Sequence, residues 1–401
     1  MPTVRKALII GAGIAGPAMA LALQKAGIDS ALFEAYPSQA GGVGAFLTVA
    51  SNGVDALDVL GAQDVLAPAF TTPAIVLRSS TGRFLGRTLT GVKLRDGTTS
   101  QTITRPDLYQ GMHDAAAERG IAVEYGRRLV GINETPTGVQ ARFADGTTAE
   151  GDVLIGCDGV HSTVRNLIDP HARKPAYSGL LTTGGYVQEV PVDTEPGSYE
   201  MIFGKRAFFG YALAPDRSVW WFANIPRGEE PAPGALEMSD DDLRRQLIDL
   251  FEGDAGPAAA LIQATETPIP LSPIHTLAHL PNWHRGRSVV IGDAAHAPSP
   301  TSGQGASLSI EDALVLAKCL RDIPDYTSAL DVFVTQRRAR VEPIIKWAAR
   351  INSNKASGLF AAKIRDLVLP PIMKLTANNK AAIRQFAYHV DWNTPADISA
   401  R

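Results

Sequence analysis

An apolar strand, a glycine-rich turn and a helix follow one another directly at the start of the chain, and this order constrains the fold more than any other feature. Residues 6–10 form an apolar run of strand length, and Gly-Ala-Gly-Ile-Ala-Gly follows at 11–16. Residues 17–26 have helical composition, and a second strand begins at Ser30. A strand, a crossover helix and a second strand within about 30 residues are typical of a βαβ unit. The sequence therefore predicts an α/β domain with parallel strands.

The three glycines of this turn have separate roles in a dinucleotide site of Rossmann type. Gly11 makes the tight turn, Gly13 lets the backbone approach a pyrophosphate, and Gly16 allows the helix to pack closely on the strand. Glu34 lies 18 residues after Gly16, where an acidic residue binds ribose hydroxyls and repels a 2'-phosphate. The alternative is a glycine-rich turn without a ligand. The complete strand, helix, strand and acid favour bound FAD or NAD over NADP.

Composition excludes several classes of protein. The 401 residues predict two or three domains, and 45% apolar with 20% charged residues is ordinary for a globular protein. A net charge of -3 gives no reason to expect nucleic acid or an anionic membrane as partner. Cys157 and Cys319 match no metal or redox spacing, which predicts no metal site and two buried thiols in the cytoplasm. The apolar N-terminal run is interrupted by glycines and a proline, so we interpret it as neither signal peptide nor membrane span.

Two further strand-to-helix turns contain an acid beside glycine. Residues 152–165 read DVLIGCDGVHSTVR, with Gly156 and Gly159 on either side of Asp158. Asp158 is interpreted either as a cap of the helix predicted from Ser162 or as part of a turn pressed against a ligand. Residues 288–313 read SVVIGDAAHAPSPTSGQGASLSIEDA, an apolar strand, Gly-Asp, a loop, and a helix predicted over 307–320.

The middle of the chain differs from the rest in its strand-like alternation and aromatic content. Residues 73–100 alternate like antiparallel strands, and residues 177–273 are β-rich and aromatic with one helix at 240–251. These segments predict a second domain inserted into the first. Its aromatic side chains are either ordinary core or the walls of a flat apolar pocket.

The C-terminal part is predicted to be helical. Residues 326–350 form a long amphipathic pattern, and residues 359–375 add an apolar and basic stretch predicted to break at Pro370-Pro371. We interpret both as a brace between the two domains. A membrane-surface or dimer contact is the alternative.

The three turns together resemble one family. GAGIAG at 11–16, Gly-Cys-Asp-Gly at 156–159, and Gly-Asp-Ala-Ala-His with Gly-Gln-Gly between 292 and 305 are similar to the class A FAD-dependent aromatic hydroxylases with the p-hydroxybenzoate hydroxylase fold. The chain length resembles the smaller salicylate, hydroxynicotinate and tetracycline hydroxylases. The resemblance implies a Rossmann-like FAD-binding domain (1–72, 101–175, 275–322), a β-sheet substrate domain (73–100, 176–274) and C-terminal helices (323–401).

The resemblance also implies site residues. Arg105 matches an arginine that reaches the FAD phosphate and ribityl region; its alternative is a surface cation. Asp293 falls on the ribityl-binding aspartate. The residues predicted to bind FAD are Gly11, Gly13, Ala15, Gly16, Glu34, Ala35, Gly44, Arg105, Leu129, Asp158, Asp293, Gly303, Gly305 and Ala306. Pro300 and Gly305 are predicted to act in catalysis, and Tyr211, Phe222 and Pro300 to line the substrate pocket.

The activity implied is a monooxygenase with bound FAD, transient NAD(P)H and O2, which hydroxylates an aromatic or polyketide-like small molecule through a flavin C4a-hydroperoxide. Epoxidation or Baeyer-Villiger oxygenation on the same scaffold is one alternative, and a non-catalytic flavin-binding protein is another. The helix after Gly303-Gln304-Gly305 would stabilise the negative charge of reduced flavin at its N-terminus. The predicted assembly is a monomer or homodimer.

Overall fold

The protein is described by a computed structural model that covers residues 4–38, 46–232, 234–236, 238–266, 268–353, 359–376 and 380–397. Strands and helices are numbered in chain order. The predicted α/β fold class is confirmed: parallel strands with helices form one part, a large β-sheet a second, and helices close the chain.

A six-stranded sheet forms the core of the nucleotide-binding part. Its strands run in the order β18-β19-β12-β1-β2-β8, and all neighbours are parallel except β18 and β19. The strands are β1 (Lys6–Ile10), β2 (Asp29–Phe33), β8 (Val123–Glu124), β12 (Val153–Gly156), β18 (His284–Arg285) and β19 (Ser288–Val290).

Three neighbouring strands of this sheet end side by side. Ile10 at the end of β1 pairs with Gly156 at the end of β12, which pairs in turn with Val290 at the end of β19. Because parallel strands place their carboxyl ends at one sheet edge, the three glycine-containing turns leave from the same place. Turns separated by more than a hundred residues in sequence therefore form one site.

Ten helices are described. They are α1 (Ala15–Lys25), α2 (Ser51–Leu60), α3 (Arg105–Glu118), α4 (Thr163–Ile168), α5 (Asp240–Leu250), α6 (Ala258–Ala264), α7 (Gly305–Asp322), α8 (Tyr326–Ser353), α9 (Leu359–Thr376) and α10 (Lys380–Phe386). Helices α1 and α7 pack against each other. Both begin two residues before their predicted starts, inside the glycine motifs, because glycine costs little at a helix terminus that lacks intrahelical partners.

A seven-stranded sheet forms the second part, in the order β17-β13-β16-β15-β14-β5-β6. Its strands are β5 (Ala74–Ser79), β6 (Phe84–Leu89), β13 (Ala176–Val187), β14 (Tyr199–Phe203), β15 (Phe208–Leu213), β16 (Val219–Pro226) and β17 (Ser272–Thr276). Helices α5 and α6 cover one face through the buried cluster that contains Leu247, Leu261 and Trp221. The strands come from the segments assigned to the substrate domain, except that β17 ends two residues beyond it. The domain boundaries themselves stay predictions.

Two three-stranded sheets complete the strands of the fold. One has the order β11-β10-β9, with β9 (Leu129–Glu134), β10 (Val139–Phe143) and β11 (Thr148–Gly151). The other has the order β3-β7-β4, with β3 (Phe46–Val49), β4 (Phe70–Thr71) and β7 (Gln101–Thr104). Strand β3 leads into α2, and β7 leads into α3.

The C-terminal helices contact both parts. Helix α8 packs on α7, and α9 packs on β6. The predicted break at Pro370-Pro371 is wrong, because α9 continues through both prolines. Packing explains the difference, since Leu369 lies in an apolar cluster of the large sheet and Met373 lies over Gly86. Within the described ranges, no helix has both the length and the hydropathy needed to cross a membrane.

A buried ionic network joins α7 to α8. Arg337 is fully buried, and its guanidinium contacts Glu311 at 2.8 Å and Asp312 at 2.6 Å. Arg340 contacts Glu311 at 2.9 Å, and Asp312 also pairs with His296 at 2.6 Å. Two carboxylates buried without these cations would be strongly unfavourable, so the network fixes how the two helices pack.

We predict that Arg337→Met lowers the free energy of unfolding by roughly 3–5 kcal/mol, because Glu311 and Asp312 lose a buried partner. Thermal and denaturant unfolding of the FAD-loaded protein measure the change. Arg245→Met is the matched control, since Arg245 pairs with Asp242 at the exposed surface, and its midpoint should stay near wild type. Equal midpoints for the two variants would contradict this role of the network.

Candidate active site

The first glycine turn is crowded at two of its glycines and open at the third. A Cβ atom at Gly11, whose φ is +99°, would lie 2.6 Å from the carbonyl oxygen of Cys157. A Cβ at Gly16 would lie 2.0 Å from the carbonyl oxygen of Gly11. A Cβ at Gly13 would meet no described atom within 4 Å. Gly11 and Gly16 are thus required by the fold, whereas Gly13 leaves space against the turn.

Glu34 lies beside this turn. Its carboxylate accepts hydrogen bonds from the backbone N–H of Ala12 at 2.8 Å and of Tyr36 at 3.0 Å. The side chain is therefore held at the mouth of the turn, where a ribose would meet it. Sequence reasoning missed His113, whose buried ring contacts the carbonyl oxygen of Ala12 at 2.7 Å from α3. No motif surrounds this histidine, so no signal in the sequence could have found it.

The middle turn, residues 156–159, is held in place by the side chain of Asp158. Its carboxylate accepts hydrogen bonds from the Ser162 hydroxyl at 2.5 Å and from the backbone N–H groups of Thr163 and Val164 at 2.7 and 3.0 Å. Burial raises the pKa of this carboxyl, and these hydrogen bonds oppose the rise. Asp158 therefore caps α4, and a contact with FAD or NAD(P)H stays a prediction.

Arg165 connects the middle turn to the late turn, which comprises residues 292–305. It is buried, and its guanidinium donates to the carbonyl oxygens of Ala294 at 3.0 Å and Val160 at 2.8 Å. No pattern in the sequence singles out this arginine, because its partners are backbone atoms, one of them in a distant segment.

Asp293 lies three residues after the end of β19, and its carboxylate is near the start of α7. A Cβ at Gly305 would be 3.8 Å from Asp293 Oδ1 and 3.9 Å from Pro298. Burial raises the pKa of Asp293, and the charges of His296 and Arg105 oppose that rise. Arg105, predicted from a distant part of the sequence, thus lies within electrostatic reach of Asp293.

The turn that carries Asp293 is held from behind by Asp312. The Asp312 carboxylate accepts a hydrogen bond from the backbone N–H of Gly292 at 2.8 Å and pairs with His296. Burial alone would raise the pKa of Asp312, but the charges of His296 and Arg337 lower it to about 2. His296 is therefore a buried positioning residue. Two adjacent acids inside the apolar pattern of α7 were a usable signal that a buried cation lay opposite.

Helices α1 and α7 have open N-termini. They begin after Ile14 and Gln304, neither of which makes a side-chain cap, whereas Thr104 and Ser162 cap α3 and α4. The first turns of α1 and α7 contain no acidic residue. Their free N–H groups and the positive ends of their dipoles are thus available to an anion.

The other predicted site residues differ in burial and surroundings. Ala15 is half-buried and near Gly292, which brings the first and late turns into contact. Gly303 has a φ of +59° and open space at its Cβ position. Ala306 and Ala35 are half-buried, Leu129 is buried, and Pro300 is exposed at the start of a 3₁₀ turn. Gly44 lies outside the described residues.

The prediction that Tyr211 and Phe222 line one pocket is wrong. Tyr211 packs with Phe209 and Trp221 on the face covered by α5 and α6, whereas Phe222 lies on the opposite face with Phe46. The two strands are paired so that Tyr211 is opposite Trp221 and Phe222 is opposite Gly210. Since successive side chains of a strand point to opposite faces, the two residues can share no pocket on this sheet.

These residues fit FAD. A dinucleotide needs a backbone that can be approached, an open helix end for phosphates, and oxygen acceptors for hydroxyl groups. The open position at Gly13, the uncapped α1, Glu34 and Asp293 provide each of these at one sheet edge. A family model described as FAD binding domain matches residues 5–348. The chain belongs to this family.

Known relatives of this flavoprotein are FAD-dependent oxygenases. It is 32% identical over 356 residues to an FAD-dependent urate hydroxylase of Klebsiella pneumoniae, covering 86% of this chain and 89% of the relative. It is 29% identical to the aurachin C monooxygenase/isomerase of Stigmatella aurantiaca, covering 92% and 94%. The crystal structure of Klebsiella pneumoniae HpxO complexed with FAD and uric acid superposes with a TM-score of 0.81 at 26% identity, covering 93% and 96%. The flavoprotein is thus an FAD-dependent monooxygenase.

We predict that Gly13→Ala reduces FAD binding at least about tenfold without unfolding the apoprotein, because its Cβ takes space only where the pyrophosphate approaches. Equilibrium dialysis measures FAD affinity, and circular dichroism measures the apoprotein fold. Gly228→Ala is the control, since its Cβ also meets nothing. Gly16→Ala should damage the fold itself. Unchanged FAD affinity in Gly13→Ala would exclude this placement of the pyrophosphate.

Proposed function

We propose that this monooxygenase uses NAD(P)H and O2 to hydroxylate an aromatic or polyketide-like small molecule. The observation that carries the proposal is the single sheet edge that gathers three glycine turns, tied to the large sheet at two places. Bound FAD supplies the two-electron chemistry that reduces and activates O2. The chain supplies binding, orientation and electrostatics.

The first tie runs through β3. The ring of Phe46 lies 5.7 Å from that of Trp220 and 6.1 Å from that of Phe222, centroid to centroid. At the other end of β3, the N–H of Ala50 donates to the Ser307 hydroxyl at 3.2 Å. One short strand therefore touches the large sheet at its start and the first turn of α7 at its end.

The second tie runs through the segment after β17. The N–H of Leu277 donates to the carbonyl oxygen of Ala297 at 2.9 Å. This contact forms an isolated β-bridge to the late loop, residues 296–303. The large sheet is thus linked twice to the late loop and the start of α7 that follows it, once through β3 and once through the segment after β17. This supports a substrate pocket between the sheet and the loop.

The start of α7 is suited to a negatively charged ring. Its uncapped N–H groups carry roughly half a positive charge, which stabilises an anion within the first turn. Gly303 and Gly305 place no side chain before this helix end. Asp293 supplies carboxylate oxygens that accept hydrogen bonds from hydroxyl groups while leaving the helix end free.

Pro298 and Pro300 have no backbone N–H. The loop between His296 and Gly303 therefore has two fewer backbone hydrogen-bond donors. Fewer donors disfavour protonation and water binding, both of which would compete with oxygen transfer. We assign no general base, because His296 is buried in its pair with Asp312.

We predict that Gly305→Ala slows flavin reduction by NAD(P)H roughly 10–100-fold, because a methyl group at the helix end displaces the ring from its reactive position. The fold should be unaffected, since the new Cβ makes only ordinary contacts. Anaerobic stopped-flow absorbance measures reduction with NADH and with NADPH, and Gly228→Ala is again the control. A wild-type reduction rate in Gly305→Ala would remove the helix end from the proposed role.

We predict that the FAD-loaded enzyme transfers one oxygen atom from O2 to an aromatic substrate. Phenolic, heteroaromatic and polyketide compounds are screened for stimulated NAD(P)H consumption, and products are analysed by mass spectrometry after turnover under oxygen-18. Incorporation of one labelled oxygen supports the proposal, and NMR of the product separates hydroxylation from epoxidation or ring expansion. NAD(P)H oxidation that yields only hydrogen peroxide with every compound would contradict it.

A further inference from the structure

The two faces of the seven-stranded sheet differ in charge. On the face covered by α5 and α6, Arg78 forms an ion pair with Glu200 at 2.6 Å beside Tyr211. The opposite face, here called the aromatic face, bears Tyr186, Tyr199, Met201, Phe208, Trp220 and Phe222. Strand pairing places these six side chains on one side of the sheet.

The aromatic face carries no charged side chain on its five central strands. Of the residues that alternate onto this face in β5, β14, β15, β16 and the β16-paired part of β13, none is Asp, Glu, Lys, Arg or His. The other positions are apolar or glycine, apart from Ser79, Thr182 and Asn224. The phenols add no charge either, because burial raises the pKa of Tyr186 to about 12 and that of Tyr199 further.

The aromatic face is the more open of the two. Met201, Trp220 and Phe222 are half-buried, whereas Phe209 and Trp221 on the covered face are fully buried. The ring of Phe222 lies against Gly210, where a Cβ would come within 2.3 Å of it. The glycine thus leaves room for the Phe222 ring over the backbone of β15.

Among the described side chains, Arg365 is a cation at the edge of this face, and it is already paired. The guanidinium of Arg365 on α9 lies 4.4 Å over the ring of Phe203 and contacts Asp366 at 2.8 Å. Its charge is thus neutralised locally. A buried carboxylate group on a substrate would find no unpaired cation on the central strands, and an anion buried without a partner is strongly disfavoured.

We propose that this enzyme selects uncharged aromatic substrates and rejects their carboxylate analogues, with the aromatic face as the wall that discriminates. The proposal rests on the proposed function, because it takes the space between this face and the late loop as the substrate pocket. The expected preference is at least about 100-fold in affinity for a neutral compound over its carboxylate partner.

The test is a binding titration of the FAD-loaded enzyme at neutral pH, without NAD(P)H or O2. Matched pairs share one aromatic ring system and differ in whether the carboxyl group is a neutral methyl ester or a carboxylate: methyl salicylate and salicylate, and methyl 3-hydroxy-2-naphthoate and its free acid. The change in flavin absorbance reports binding beside the ring. Half-saturation by the esters at concentrations at least about 100-fold lower supports the proposal. Half-saturation by the acids at equal or lower concentrations overturns it.

A charge placed on the aromatic face gives a second measurement. Phe222→Arg is compared with Phe222→Gln, which removes the ring without adding charge, and FAD content verifies that both variants fold. The arginine variant should bind the acids at least about tenfold more tightly than the glutamine variant does. Equal affinities for the acids would contradict the discriminating role of this face. The wild-type titration stands alone if either variant fails to fold.

The titration and the turnover assay test the two proposals independently. An enzyme that binds the neutral esters selectively but transfers no oxygen would contradict the proposed function and leave the substrate class intact. An enzyme that oxygenates carboxylates as well as esters would retain the proposed function and contradict the substrate class.

Discussion

Close approach of backbone at the ends of three parallel strands is the constraint on which the rest of this structure depends. Gly11 lies against the carbonyl group of Cys157, so the first turn packs on the middle turn without a side chain between them. Gly292 lies near Ala15, so the late turn packs on the first. The contact at Gly11 requires a glycine, and the three turns together bring backbone from distant segments and the open ends of α1 and α7 to one sheet edge.

The buried charges serve this same edge. Asp312 holds the N–H of Gly292, Arg337 holds Asp312, and Arg337 belongs to α8 of the C-terminal segment. A helix far along the chain from the first glycine turn thus fixes the turn that presents Asp293. Since removal of one member leaves a buried charge without its partner, this network couples the stability of the α7–α8 pair to the geometry of the flavin site.

The two faces of the large sheet have different surroundings. One face packs under α5 and α6 and bears the ion pair between Arg78 and Glu200. The other face is aromatic, half-exposed and without charge along its central strands, and Phe46 connects it to the late turn. The core under α5 and α6 is therefore separate from the aromatic face, and a substitution on the aromatic face leaves the contacts of that core in place.

Sequence alone determined the local elements of this protein. The glycine motifs predicted the βαβ unit, the FAD-binding family and the late strand-turn-helix, because their spacing reflects local backbone requirements that few other folds impose. Tertiary structure decided what lay beyond local periodicity. Periodicity within β15 and β16 does not give their register, so the sequence could not show that Tyr211 and Phe222 lie on opposite faces of the sheet. Packing against β6 keeps α9 helical through Pro370 and Pro371. The partners of Arg165 and Arg337 also come from distant segments, and only folding brings them together.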